Sequence, residues 1–203
     1  MSLVHIIKGL KENSLKIPVS VGKFLAHIPY TLRPFFGTSY RKTIWDIDDY
    51  ACMSEEQRRV YVYKKMYAIV EYAINNIEFY KEHYQKKGFS LSQLKSFEDI
   101  EKIPIISKDD LLNYSLEKRS NTSLNGFLVN TGGSSGKTLT FFAQPCQIGV
   151  EWAHIHRMWA KFGFKYWHLR ACFVGRSKVD NGVDYEFARH CLSIDIYKPF
   201  AEI

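Results

Sequence analysis

The stretch FLVNTGGSSGKTLTFFA, residues 127–143, places a polar, glycine-rich loop between two short apolar segments. The first segment, FLVN, has the composition of a short buried strand. The second, TLTFFA, is rich in the β-branched and aromatic residues that favour strands, and Gln144 and Pro145 follow it. The stretch therefore predicts two strands joined by a loop.

Helices are predicted on both sides of these strands. Upstream, the segment SEEQ at residues 54–57 fits a capping box, and apolar residues recur behind it at helical spacing. This predicts a helix over residues 54–87, broken near Asn75 and Asn76 and ended by Gly88. Downstream, a helix ended by Gly163 is predicted. The apolar face of that helix is marked by Ile148, Trp152, Ile155, Trp159 and Phe162.

The remaining elements complete an α/β pattern. Ser96 and Ser107 are predicted helix starts, because their side-chain oxygens can accept from exposed backbone N–H groups. Between them the chain is expected to be extended around Pro104. LRACFVG and CLSIDIY are two further candidate strands. Helices alternating with strands predict an α/β fold in which helices cover a sheet, preceded by a helical N-terminal part.

Domain organisation is predicted from where the regular pattern begins. Residues 1–50 are interrupted repeatedly by helix-breaking residues, and they are expected to form an arm that wraps the domain at residues 51–203. The interrupting residues are Pro18, Gly22, Pro29, Pro34 and Gly37.

Composition and charge restrict the class of protein. The chain has 203 residues, 46% of them apolar, and no run approaching the ~20 apolar residues of a spanning helix, which predicts a soluble protein. Its four cysteines form no C-x-x-C pair, which favours a reducing cytoplasm over a disulfide or zinc scaffold. The net charge is +7, but the absence of a run of five basic residues argues against nucleic-acid binding. The basic, partly amphipathic segment before Pro34 leaves peripheral membrane contact open.

The loop is not a Walker A motif, although Gly136, Lys137 and Thr138 resemble its end. A Walker A loop has a glycine five positions before that second glycine, and here Thr131 stands there. A Walker A loop also opens a helix, whereas a strand is predicted after Thr138. A loop of glycines, hydroxyls and one lysine can still bind phosphate. The residues alone leave a phosphate site and a plain polar hairpin equally open.

The loop resembles the phosphate loop of the adenylate-forming superfamily, the acyl-CoA synthetases and their relatives, whose pattern is [ST]-[SG]-G-[ST]-[ST]-G-x-P. The matching run is Thr131, Gly132, Gly133, Ser134, Ser135 and Gly136. Thr138 stands where proline is usual, and Gly132 where serine is commoner.

The upstream chain is similar to the N-terminal region of phenylacetate-CoA ligase-like proteins. The residues that fall where their pattern places them are Asn76, Phe79, Tyr80, Pro104, Lys108, Asp109 and Leu111. Within this group, the Thr-Gly-Gly loop and the segment IPYTLRPFFG, residues 28–37, look most like capsular polysaccharide biosynthesis proteins of the CapK type. The resemblance covers residues 25–200 or so.

The resemblance implies ATP-dependent activation of a carboxylate, with Mg²⁺, to an acyl-adenylate, followed by transfer to a thiol. It implies that residues 131–137 hold the β- and γ-phosphates, namely Thr131, Gly132, Gly133, Ser134, Ser135, Gly136 and Lys137. It implies the fold of a partial N-terminal domain of the acyl-CoA synthetase-like kind. Small-molecule carboxylates and ATP are the implied partners.

Other parts of the superfamily's machinery have no counterpart in this sequence. No aromatic-Gly-x-Thr-Glu segment follows Lys137, and Tyr185-Glu186 lacks its glycine and threonine. No catalytic or metal-binding residue is assigned, and the chain is expected to be inactive alone, as the N-terminal portion of a ligase. The alternative is a non-catalytic remnant or binding partner that retains the loop.

Two histidines lie in the helix predicted before Gly163. His154 and His156 are off its apolar face and form no H-E-x-x-H motif. They are expected to be surface or hydrogen-bonded histidines rather than metal ligands.

Overall fold

The computed structural model describes residues 18–124, 126–132, 136–175, 182–186 and 189–197. The chain is a mixed helix and sheet protein, with six α-helices and five strands in the described residues. It divides into two compact units, one of residues Trp45–Pro145 and one that combines Met1–Ile44 with Cys146–Ile203. The sequence boundary at residue 50 stays a prediction about domain organisation.

Three of the helices follow one another in the first half of the chain. They are α2 (Gly37–Cys52), α3 (Glu55–Asn76) and α4 (Glu78–Lys86). The capping box before α3 is confirmed: the Ser54 side chain accepts from the N–H of Gln57, and the Gln57 side chain accepts from the N–H of Ser54. The break falls at Ile77, whose backbone is extended. Gly88, with φ +68°, follows α4, as predicted.

The core of the unit Trp45–Pro145 lies between α3, α4 and the segment that follows. Val70, Tyr84, Phe89 and Leu94 form a buried cluster, and Phe79 is completely buried. Two 3₁₀ turns, Leu91–Gln93 and Phe97–Lys102, and the short helix α5 (Lys108–Leu112) complete this part.

The predicted helix starts at Ser96 and Ser107 are of different kinds. Ser96 precedes only a 3₁₀ turn, whereas Ser107 caps α5.

The hairpin of this unit consists of β1 (Phe127–Asn130) and β2 (Thr140–Ala143), which pair antiparallel with Asn130 opposite Thr140. Both strands were predicted. The prediction that FLVN is buried is wrong: its side chains alternate between half-buried and exposed, and Leu128 is 58% exposed. In a two-stranded sheet covered on one face, alternate side chains remain in solvent.

The other unit contains α1 (Val19–Ala26), most of α6 (Pro145–Ala160) and a three-stranded sheet. The sheet has the order β3 (Arg170–Val174), β5 (Cys191–Asp195), β4 (Val183–Glu186). Strand β3 runs parallel to β5 and β4 antiparallel to it. Strands β3 and β5 were predicted and β4 was missed, because two of its four residues are acidic and acidic residues are depleted in strands.

Helix α2 was also missed. Gly37 was interpreted as a helix breaker, but it begins a regular helix of 16 residues. Thus the irregularity predicted for residues 1–50 is wrong for the part from residue 37 onward. Within the described part of the chain, no helix combines the length and the apolar character needed to cross a membrane.

The buried face of α6 differs from the predicted one. Helix α6 buries Gly149, Ala153 and His156, whereas Trp152 is half-buried and Phe162, beyond the helix, is 86% exposed. Small residues on the buried face allow close approach to the start of α2, because a Cβ on Gly149 would overlap the carbonyl oxygen of Phe36. Gly163, with φ +79°, follows the helix as predicted.

Candidate functional site

The glycine-rich loop joins the ends of β1 and β2. Thr131 and Leu139 close its base: the N–H of Thr131 donates to the carbonyl oxygen of Leu139 at 3.0 Å, and the N–H of Leu139 donates to the Thr131 hydroxyl at 2.9 Å. The Thr131 hydroxyl therefore helps to close the base of the loop. The sequence had indicated only a role in phosphate binding for this residue. The loop proper is residues 132–138.

The glycines of the described loop stand in open space. A Cβ built on Gly132 or Gly136 would meet no described atom within 4 Å. Gly136 has φ +77°, which disfavours any side chain, whereas Gly132 has no such restriction. The described part of the chain thus leaves space for a ligand beside the backbone of Gly132 and Gly136. Gly133, Ser134 and Ser135, also in the predicted set, lie outside the described residues.

Lys137 is paired with a carboxylate of α5. Its Nζ lies 2.7 Å from Asp109 Oδ1, and both side chains are more than 60% exposed. The ammonium group of Lys108 donates to the backbone carbonyl oxygen of Lys137. Two lysines and one carboxylate therefore meet beside the loop. Sequence reasoning assigned Lys137 but gave Lys108 no such role.

The start of α5 explains why Asp109, and not its neighbour, faces Lys137. Asp110 accepts from the N–H of Ser107 at 2.8 Å and from its hydroxyl at 2.6 Å, and the N–H of Asp110 donates back to that hydroxyl. These hydrogen bonds from Ser107 lower the pKa of Asp110. Asp110 thus completes the helix cap, and Asp109 is left for the loop lysine.

Arg119 adds a third cation at the hairpin. Its Nη1 donates to the carbonyl oxygen of Thr140 at 2.5 Å, next to the base of the loop. Its Nε is buried and has no hydrogen-bond partner among the described residues. No sequence motif marked Arg119, because its link to the strand arises only when the chain folds.

Exposed ion pairs of this kind contribute about 0–1 kcal/mol. A dianionic phosphate group could therefore displace Asp109 from Lys137 at small cost. Backbone N–H groups in an open, glycine-rich turn and lysine ammonium groups are the donors that phosphate oxygens accept. The arrangement is suited to hold phosphate.

A second cluster of titratable groups lies in the other unit, around His156. Tyr40 Oη is 3.1 Å from His156 Nδ1, and the Tyr30 ring meets the imidazole edge-on with centroids 4.6 Å apart. Burial, together with the positive charges of Arg170 and Arg33, lowers the pKa of His156 to about 4. His156 is therefore a neutral, hydrogen-bonded core residue at pH 7, as one of the two expected alternatives had it, and His154 is exposed.

The described residues include no group of three histidine, cysteine, aspartate or glutamate side chains arranged to hold a metal ion. Comparison with known proteins adds no assignment: no protein-family model matches the chain, and no curated protein matches it significantly. The family resemblance therefore rests on the motif residues themselves.

Proposed function

We propose that this chain carries the phosphate-binding loop of an ATP-dependent, carboxylate-activating ligase that forms acyl-adenylates and resembles phenylacetate-CoA ligase. The likeness to CapK-type proteins extends the proposal to capsular or surface polysaccharide biosynthesis. In fold terms, the chain is proposed to be part of an N-terminal domain of the acyl-CoA synthetase-like kind.

The observation that carries the proposal is the open space at Gly132 and Gly136, in a loop between two strands, with Lys137 next to Gly136. The strand after the loop agrees with a hairpin phosphate loop and disagrees with a Walker A motif, which would open a helix. Among the described residues, neither crowding nor a positive φ explains the glycine at position 132. Close approach of a ligand to the backbone explains it.

In such a reaction the carboxylate attacks the α-phosphate of ATP, and pyrophosphate leaves. Negative charge on the departing phosphates must be neutralised, and positioned donors supply that stabilisation. Residues 131–137 would hold the β- and γ-phosphates, with Lys137 released from Asp109 on binding. ATP is proposed to enter with Mg²⁺, and no residue of this chain is assigned to the metal.

The test is an NMR titration of the ¹⁵N-labelled chain with pyrophosphate and then with ATP and Mg²⁺. We expect saturable shifts of the amides of Thr131, Gly132, Gly136 and Lys137, without formation of acyl-adenylate by the chain alone. Lys137→Ala should weaken binding on the order of tenfold, because it removes a charge-assisted hydrogen bond.

A variant of the partner residue sharpens the test. Asp109→Asn frees Lys137, and we expect it to tighten pyrophosphate binding by up to about fivefold, the equivalent of an exposed ion pair. The matched control is Glu78→Gln, which breaks the exposed pair with Lys118 (2.6 Å) and should leave binding unchanged. Absence of loop shifts in a folded chain, or equal affinity of Lys137→Ala and the unchanged chain, would contradict the proposal.

A further inference from the structure

The first helix and the turn after it expose large apolar side chains. Phe24 is 78% exposed, Leu32 73% and Phe35 50%, and Val21 and Ile28 are each more than 40% exposed. These five residues, here named the apolar ridge, lie within 15 positions of one another in sequence. Single exposed apolar residues are ordinary, but such a concentration marks a surface that binds something.

Helix α1 already has a separate buried face. Gly22 and Ala26, four positions apart, are buried, and Gly22 packs so closely on the ring of Tyr185 in β4 that a Cβ would overlap it. Val21 and Phe24, three positions apart, share another face of the same helix. Helix α1 is therefore packed on the sheet by one face, and Phe24 is exposed on a different face.

The turn after the helix holds an aromatic residue in a strained conformation. Phe35 has φ +70°, in the left-handed region that costs a bulky residue about 1–2 kcal/mol. The turn is closed by the N–H of Gly37, which donates to the carbonyl oxygen of Arg33 at 3.0 Å. Strain of this size persists where the surrounding structure imposes it, and such positions cluster at binding sites. Here it leaves an aromatic ring half in solvent.

The charged residues in the segment that carries the apolar ridge have one sign. Residues 18–44 contain Lys23, Arg33, Arg41 and Lys42 and no aspartate or glutamate. The side chains of Lys23 and Lys42 are exposed. Cations beside exposed Phe and Leu are the combination that binds the interface of an anionic membrane, where the apolar groups enter the acyl boundary and the cations meet the headgroups.

We propose that the apolar ridge, with Lys23 and Lys42, is a peripheral binding surface for a bilayer that contains anionic lipid. An acidic protein or nucleic acid would account for the lysines but leave Phe24 and Leu32 without a role. A neutral apolar partner would account for the ridge but leave the lack of aspartate and glutamate in residues 18–44 unexplained. A bilayer with anionic headgroups uses both features, and this proposal does not depend on nucleotide binding by the loop.

The test is flotation of the 203-residue chain with two kinds of vesicle, in the absence of nucleotide. One kind is phosphatidylcholine alone, and the other contains about 30 mol% phosphatidylglycerol, which gives the bilayer a negative surface potential. We expect binding to the anionic vesicles that weakens with added salt. Phe24→Ser with Leu32→Ser should weaken it tenfold or more, since each side chain loses a buried apolar area. Lys23→Gln with Lys42→Gln should weaken it roughly 30-fold, about fivefold for each charge.

Matched controls use equally exposed residues elsewhere. Ile105→Ser, at a position 89% exposed, and Lys64→Gln with Lys81→Gln should bind vesicles as the unchanged chain does. Circular dichroism of every variant shows whether it folds. Equal vesicle binding by the ridge variants and the controls would overturn the proposal. Absence of vesicle binding by the unchanged chain would also overturn the proposal. Sedimentation would then show whether the ridge mediates self-association that the Phe24 variant loses, and a gel shift would show whether the chain binds nucleic acid.

Discussion

Lowering the pH should destabilise the folded chain through His156, by an amount that can be worked out. In the folded chain burial, aided by the positive charges of Arg170 and Arg33, holds the pKa of His156 at about 4, and the ordinary value of a histidine pKa is 6.5. Between these pH values the unfolded chain binds a proton at this position that the folded chain does not. The free energy of unfolding therefore falls as the pH falls through this window, and it is insensitive to His156 above it.

The size of the effect follows from the separation of the two pKa values. The contribution of His156 amounts to a loss of about 2 kcal/mol between pH 8 and pH 5, and about 3 kcal/mol by pH 4. His156 is only 7% exposed, so solvent screens little of this. A loss of that size is a large fraction of the free energy of unfolding of an ordinary domain, about 5–15 kcal/mol.

The assay is urea unfolding followed by far-ultraviolet circular dichroism at pH 8, 6.5 and 5. His156→Gln should lower the free energy of unfolding at pH 8, because the substitution removes the ring that packs on Tyr30. Between pH 8 and pH 5, however, the free energy of unfolding of this variant should fall by about 2 kcal/mol less than that of the unchanged chain. His154→Gln is the control, exposed on the same helix, and should keep the full pH dependence.

Other groups do not obscure the comparison. Burial also lowers the pKa of His190, so that residue contributes a loss of the same sign in all three proteins and cancels in the difference. Equal pH dependence of His156→Gln and the unchanged chain would refute the reasoning. So would an NMR titration in which the imidazole of His156 takes up its proton near pH 6.5.

Further expected outcomes concern backbone and packing. Gly136→Ala should lower the free energy of unfolding by about 1–2 kcal/mol because of its φ of +77°, whereas Gly132→Ala should leave it almost unchanged; equal effects in urea unfolding would contradict this. Gly149→Ala should lower the free energy of unfolding by about 1–3 kcal/mol, since the added methyl group meets the carbonyl oxygen of Phe36. An unchanged thermal midpoint would show that α6 does not approach the start of α2 so closely. Ser54→Ala should cost about 1 kcal/mol by removing the cap of α3, while Ser54→Thr, measured beside it, should retain most of the stability.

The sequence by itself determined those elements whose signals act over a few residues. The capping box before α3, the positive-φ glycines after α4 and α6, and the strand, loop, strand pattern around residues 127–143 were all readable from it. Each depends on hydrogen bonds or backbone angles within one or two turns of chain, so local residue types specify it. The family resemblance of the loop also comes from the sequence, and the function it implies stays a prediction.

The tertiary structure decided which distant residues meet. Asp109 pairs with Lys137 across 28 positions, and Tyr40 contacts His156 across 116. The apolar periodicity did not mark His156 as buried, since this residue lies off the apolar face that was predicted for α6. The approach of Tyr30 and Tyr40 buries it. Packing of separate elements selects such pairs, because burial and ion pairing depend on what arrives from elsewhere in the chain. A pattern of residues close in sequence does not specify contacts with distant residues, and so only the folded chain shows which groups share a site.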